Sequence, residues 1–202
     1  MIKDKISREF KTLREHVNKS GQKTKFTQTY PFTTWSYIFD IKVEIPGDLA
    51  KLFLYLQDLI LEGRPDIGGR KSVSQGGVIP SLKTQKKIDY ITVLADQSLY
   101  SGFEHRQHIV LEEFVMTHDP QIIAMEVPVW SDDWMGHIDL IRWNRVTQRL
   151  EVLDFKPAAK KETKAASQLW RYRELLCSRL GIPQERVDIS YFDKDNYYQV
   201  LT

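Results

Sequence analysis

The sequence predicts a mixed α/β (α+β) fold, and three observations carry that prediction. Three apolar stretches of strand length, IIAMEVPVW, GHIDLIRW and RLEVLDFK, follow one another between residues 122 and 156. The polar segments SDDWMG and NRVTQR separate them where turns belong. A helical pattern near 162 to 180 then ends at Gly181 and Pro183, a glycine C-cap followed by a proline, and VDISYF and YYQVLT read as two more strands. Consecutive hairpins joined to a helical crossover give a mixed sheet with helices packed on it.

Upstream of this the elements are read in order. Residues 4 to 17 carry Ile6, Phe10, Leu13 and Val17 at helical spacing, predicting an amphipathic helix with a basic outer face. FTTWSYIFDIKVEIPG, rich in aromatic and β-branched residues, predicts a strand or one arm of a hairpin. Asp48 is placed to cap a helix that runs to Glu62 and stops at Gly63. Residues 63 to 87 hold five glycines, two prolines and six Lys/Arg against one acid, Asp66, and read as a mobile basic loop. Helices are expected near 87 to 99 and 103 to 117. The expected organisation is an N-terminal extension over 1–85, with basic arm and flexible basic loop, and a core over 86–202.

Composition narrows the function classes. A hydrophobic content of 42% and a charged content of 28% are those of a folded globular chain rather than a disordered one. The single cysteine, Cys177, excludes an internal disulfide and any cysteine-pair metal site, which suits a reducing compartment. The first sixteen residues lack the apolar centre of a signal peptide, and the most apolar stretch, LAKLFLYLQDLIL, is broken by Lys51, Gln57 and Asp58. A cytoplasmic protein without a membrane span is expected. The net charge of +2 hides an uneven distribution, since residues 1 to 25 carry eight Lys/Arg against three acids. Such an arm can hold a phosphate backbone by releasing its counterions, although a solvated face would have the same composition.

The acids in the strands are more telling. Residues of an antiparallel hairpin whose numbers add to a constant lie opposite each other. A turn centred between Asp132 and Asp133 opposes Glu126 to Asp139, and a turn centred between Val146 and Thr147 opposes Asp139 to Asp154. The three acids would then form a row across three strands, about 5 Å per step. Lys156 falls on the same face, with Ile138, Leu140, Leu153 and Phe155 on the opposite one. Carboxylates so close repel unless a cation joins them. Oxygen ligands of this kind suit Mg²⁺ or Mn²⁺ better than Zn²⁺, and open positions on such an ion accept phosphate oxygens. Phosphodiester hydrolysis is the chemistry expected, with Lys156 positioning water or stabilising developing negative charge.

These residues resemble the PD-(D/E)XK nuclease superfamily, most closely its RecB-like exonuclease-type branch, over residues 100 to 202. Glu126 is similar to the acid of the first strand, Gly136 and Asp139 to the G-x-x-D segment, and Asp154-Phe155-Lys156 to D/E-x-K. Gln168 and Tyr172 in QLWRY resemble the Q-x-x-x-Y helix of that branch. His108 and Glu112 in HIVLEE resemble its helical H-x-x-x-E segment, in which the histidine serves as an added metal ligand, and His105 lies one turn earlier. Ile138 stands where the name-giving proline would be. The resemblance implies a restriction-endonuclease-like core in α-β-β-β-α-β order, and a Mg²⁺- or Mn²⁺-dependent nuclease acting on DNA ends or single strands. Glu126, Asp139, Asp154 and His108 would hold the metal, with Lys156, Gln168 and Tyr172 completing the site. A junction-resolving endonuclease is the close alternative, because small members of the superfamily dimerise to present two sites; a homodimer or higher homo-oligomer of this chain is the corresponding expectation. A non-catalytic nucleic-acid-binding protein is another, as is an interaction protein using Trp130, Trp134, Trp143 and Trp170. Small stand-alone domains of this type occur in repair systems, viruses and other mobile elements, which would put a viral member in the host cytoplasm.

Overall fold

The computed structural model describes residues 2–17, 23–38, 46–63, 69–99 and 107–201. The meander expected from the apolar stretches is present as β5 (Ile122–Trp130), β6 (Trp134–Asn144) and β7 (Arg149–Phe155), all antiparallel. Both turns form where the polar segments lie. Ser131 N–H donates to the Trp134 carbonyl at the first, and Asn144 Oδ1 accepts Val146 N–H and Thr147 N–H at the second. This is the local bonding through which an asparagine side chain stabilises a turn.

The remaining strands are β1 (Ile2–Val17), β2 (Lys23–Ile38), β3 (Lys71–Ser72), β4 (Lys83–Lys87), β8 (Val187–Phe192) and β9 (Tyr197–Leu201). Together the strands form one open mixed sheet in the order β1-β2-β5-β6-β7-β8-β9-β4, with β3 alongside β6. Only β3 with β6 and β7 with β8 run parallel among the described pairs. The β7–β8 crossover is α4 (Ala165–Leu180), as a parallel pair requires. Gly181 ends α4 in the left-handed conformation at φ 60°, and Ile182 N–H closes back on the Cys177 carbonyl.

Helices cover both faces. On one, α1 (Gly47–Leu61) and α4 pack Leu49, Leu52, Leu56, Leu169, Leu176 and Leu180 against Ile141, Val152 and Ile189. On the other, α2 (Ile91–Leu99) and α3 (Gln107–His118) pack Ile91, Leu94, Leu111 and Val115 against Met125, Leu140, Leu153 and Phe192. Each fully buried side chain of this size contributes roughly 1.5–3 kcal/mol. Among the described residues no helix is long and apolar enough to cross a membrane.

Three expectations are corrected. Residues 4 to 17 are not a helix but lie in β1, paired along its whole length with β2. The helical spacing of four apolar residues is overridden by a partner strand rich in Thr, Tyr, Phe and Trp. The segment read as a mobile loop is laid down over residues 69–87. Val73 is buried, β3 pairs with β6, β4 pairs with β9, and Ile79 N–H donates to Ser167 Oγ on α4 at 2.8 Å. Finally, Asp48 lies within the first turn of α1 and pairs with Arg186 at 2.6 Å, while Pro46 occupies the N-cap. Residues 83–87 form β4, and α1 shares its core with α4.

Candidate functional site

Five elements, α3, β5, β6, β7 and α4, bring the predicted residues to one place. The register of β5 with β6 brackets Glu126 and Asp139 as partners, through Met125↔Leu140 and Val127↔Ile138. That of β6 with β7 runs to Leu140↔Leu153, one residue short of Asp139 and Asp154. Neither acidic pair completes a ladder step, so the acids form a cluster rather than a regular row. The cause lies in the backbone: Glu126 has φ 51°, the left-handed region that a non-glycine residue rarely enters. There the alternation of faces breaks, because Met125 and Leu140 pack beside α2 and α3 whereas Val127 and Ile138 pack beside α1 and α4. Ile138 is therefore not on the face of Leu140, Leu153 and Phe155, as strict alternation predicts.

Where the β6–β7 ladder stops, a side chain takes over. Asp139 Oδ2 accepts the Phe155 N–H at 3.0 Å, fixing the carboxylate at the mouth of the two strands. Asp154 is 2% exposed, and its Oδ1 has no hydrogen-bond donor among the described residues. Lys156 Nζ stands 2.8 Å from Asp154 Oδ2 as its counter-charge. From α3, His108 Nδ1 lies 3.0 Å from Glu112 Oε1 and 3.6 Å from Asp139 Oδ2, while Nε2 lies 3.0 Å from the Phe155 carbonyl. One ligand atom from each of His108, Glu112 and Asp139 falls within 4.8 Å of the others, so this group could hold a metal. His105 lies outside the described residues.

Glu112 is not among the ligands expected from sequence, although its spacing from His108 places both on one helical face. It is fully buried, with Oε2 lacking any donor among the described residues. Its carboxyl meets that of Glu126, and only a shared proton or a cation can join two such groups.

The electrostatics follow from this crowding. Burial, then the charges of Asp154 and Glu113, hold Glu112 well above the ordinary carboxylate range. Burial and the Glu112 charge push Glu126 up to about 8. Burial and Glu112 raise Asp139 to about 6, against the opposing effect of His108. Asp154 is raised by burial and by Asp139, with Lys156 acting against the rise. For Lys156, burial disfavours the ammonium, but the Asp154 carboxylate outweighs it and the pKa is raised.

The α4 residues close the site. Gln168 Nε2 donates to the Tyr172 hydroxyl at 3.1 Å. Burial raises the pKa of that hydroxyl, and the charges of Asp154, Asp139 and Glu126 raise it further, placing the ring beside the acids. Gly136 makes room for it, since a Cβ there would meet the Tyr172 ring.

No family model matches the chain, and neither does any curated protein or solved structure. Fold and site together define a mixed α/β protein in which half-exposed His108 and the buried Glu112 and Asp139 form a group that could hold a metal ion.

Proposed function

We propose that this chain is a divalent-metal-dependent DNA nuclease of the PD-(D/E)XK kind, in the RecB-like branch, with α3-β5-β6-β7-α4-β8 as its restriction-endonuclease-like core. One observation carries the reading: four carboxyls, from Glu112, Glu126, Asp139 and Asp154, converge in a buried site where Lys156 is the ammonium paired with them among the described residues, and two of the buried oxygens lack donors there. Uncompensated buried charge is costly, so such a site favours either bound protons or a bound cation.

The donor set fits Mg²⁺ or Mn²⁺, being mostly carboxylate oxygen with one imidazole that favours the softer Mn²⁺. His108, Glu112, Asp139 and Asp154 would hold the ion, with Glu126 joined to it through Glu112. Bound there, it would polarise a phosphoryl oxygen and acidify a water. Asp139 is held in place by the Phe155 N–H, with the same Oδ2 3.6 Å from His108 Nδ1. Lys156, anchored on Asp154, positions the attacking water or stabilises charge on the phosphorane-like oxygens. Tyr172 and Gln168 form the wall that orients the phosphate and restricts water. The motif set favours action on DNA ends or single strands.

The test is cleavage of end-labelled single-strand, duplex and junction DNA with Mg²⁺ and with Mn²⁺. Cleavage that is lost in Asp154→Ala and Lys156→Ala proteins, both still folded, supports the reading. Wild-type protein that cleaves none of these substrates with either ion refutes it.

A further inference from the structure

The rows of the sheet lead away from the acidic cluster to an uncovered margin. On the α4 face, Asp154 pairs with Tyr191, Tyr191 with Tyr198, and Tyr198 with Lys86 of the edge strand β4. Residues in one such row share a face. The row spans three strand steps, about 14 Å at the usual interstrand spacing. The rings of Tyr191 and Tyr198 stack at 5.2 Å and 23°. Tyr191 is buried, with its hydroxyl meeting Thr84 on β4 and the charge of Glu162 nearby. Tyr198 is only half-buried, and Thr84 and Lys86 are exposed.

A chain of hydrogen bonds ties Lys86 of this row to the segment that carries three further lysines. Lys86 Nζ donates to Asn196 Oδ1 at 2.7 Å, and Asn196 Nδ2 donates to Asp193 Oδ1 at 3.0 Å. Asp193 Oδ2 in turn accepts Ala159 N–H at 2.9 Å. Ala159 opens the short turn that carries Lys160 and Lys161, and Lys164 follows; all three are exposed. Asp193, 6% exposed, thus ties the β4 edge to the segment that descends from Lys156. Lysines on an edge strand also guard a sheet against strand addition. That role does not account for Lys160, Lys161 and Lys164, which lie off the edge. The acids nearby are Glu162, and Asp195, which is paired with Lys194.

We propose that this margin, with Lys86, Lys160, Lys161 and Lys164 around the half-exposed Tyr198, binds single-stranded nucleic acid that extends from the candidate metal centre. The lysines take phosphates and the tyrosine supports a base, the pairing of charge and aromatic surface that single strands require. At the roughly 3.4 Å phosphate spacing of a stacked strand, the row accommodates about four nucleotides. The direction of the strand relative to the site rests on the nuclease reading; the surface itself does not.

The experiment measures binding of fluorescein-labelled dT20 and of a 20-base-pair duplex in EDTA at several salt concentrations, alongside Mn²⁺-dependent hydrolysis of bis(p-nitrophenyl) phosphate. Lys86→Glu keeps a charge on the edge strand but reverses its sign. It and Lys160→Glu should each weaken dT20 binding and flatten the salt slope by about 0.7 for each phosphate no longer neutralised. Tyr198→Leu should weaken dT20 about tenfold with the slope unchanged, and the duplex much less. Unaltered dT20 binding in both charge reversals overturns the proposal, and equal weakening for duplex and single strand in Tyr198→Leu overturns its single-strand assignment. If the wild type fails to hydrolyse the small diester while the edge variants lose dT20 binding, the nuclease reading falls and this surface stands. Hydrolysis together with unaltered binding gives the reverse.

Discussion

A Cβ added to Gly136 on β6 would stand 2.5 Å from Cε1 of Tyr172 on α4, closer than real side chains approach one another. The G-x-x-D strand and the Q-x-x-x-Y helix are therefore fitted to each other at the point where they meet the acidic cluster. Gly136→Ala should cost about 1–3 kcal/mol as overpacking. The same substitution in a Tyr172→Ala background should cost markedly less. Urea unfolding of the four proteins of that cycle checks the coupling.

Without a metal the acids resist ionisation, and stability should follow them. Glu126 and Asp139 are raised to about 8 and about 6 in the folded chain, above the 4.5 and 3.8 of unperturbed groups. Between the unfolded and folded values the folded state holds more protons, so unfolding free energy falls as pH rises. For these two groups the metal-free protein should be most stable at about pH 4 and below, lose stability from there, most steeply up to about pH 6 where both contribute, and go on losing it more slowly to about pH 8. Mn²⁺ should reverse the trend, because ligands must shed protons to bind it. Thermal melts in EDTA and in Mn²⁺ across pH 4 to 9 decide this; a metal-free melt that rises over that range contradicts it.

A second buried network lies on the α2–α3 face, around Arg142 rather than the acidic cluster, and should affect folding alone. Arg142 reaches Asp89 through two hydrogen bonds of 2.9 and 2.7 Å and Glu151 through two of 2.9 and 2.6 Å. Glu151 continues to Ser190 and to the Tyr197 hydroxyl. Arg142→Met strands these carboxylates and should cost about 3–5 kcal/mol. Chemical denaturation measures the destabilisation, and Mn²⁺ binding by the protein that stays folded should be unchanged.

Lys156→Ala removes the counter-charge 2.8 Å from Asp154 and should lower metal-dependent cleavage by at least about 10²-fold. Its Mn²⁺ affinity should be retained or increased, since a competing cation has gone. A fall in metal affinity equal to the fall in rate would instead place the lysine among groups that only support the fold.

Much of this site is legible in sequence because hairpin register is arithmetic. The turns at Asp132–Asp133 and Val146–Thr147 fix which residues of β5, β6 and β7 meet, and polar residues mark both turns. What numbering cannot give is a change in backbone sign. The positive φ of Glu126 breaks the alternation and sends Ile138 to the α4 side, and nothing in MEVPV announces it. Glu112 is legible only as half of an i, i+4 pair, since its burial depends on α3 docking against β5. The strand over residues 2–17 lies beyond local reading, because its pattern fits a helix and its pairing is set by β2.

The central claim is that the buried acids form a cation site, and Mn²⁺ titration followed by electron paramagnetic resonance tests it most directly. Asp139→Asn preserves an acceptor for the Phe155 N–H, so the fold should survive while the ligand charge is removed. The account predicts that the wild type binds Mn²⁺ and that Asp139→Asn, equally folded, does not. Wild-type protein that leaves Mn²⁺ free in solution, or an Asp139→Asn protein that binds it as well as the wild type, would contradict the account.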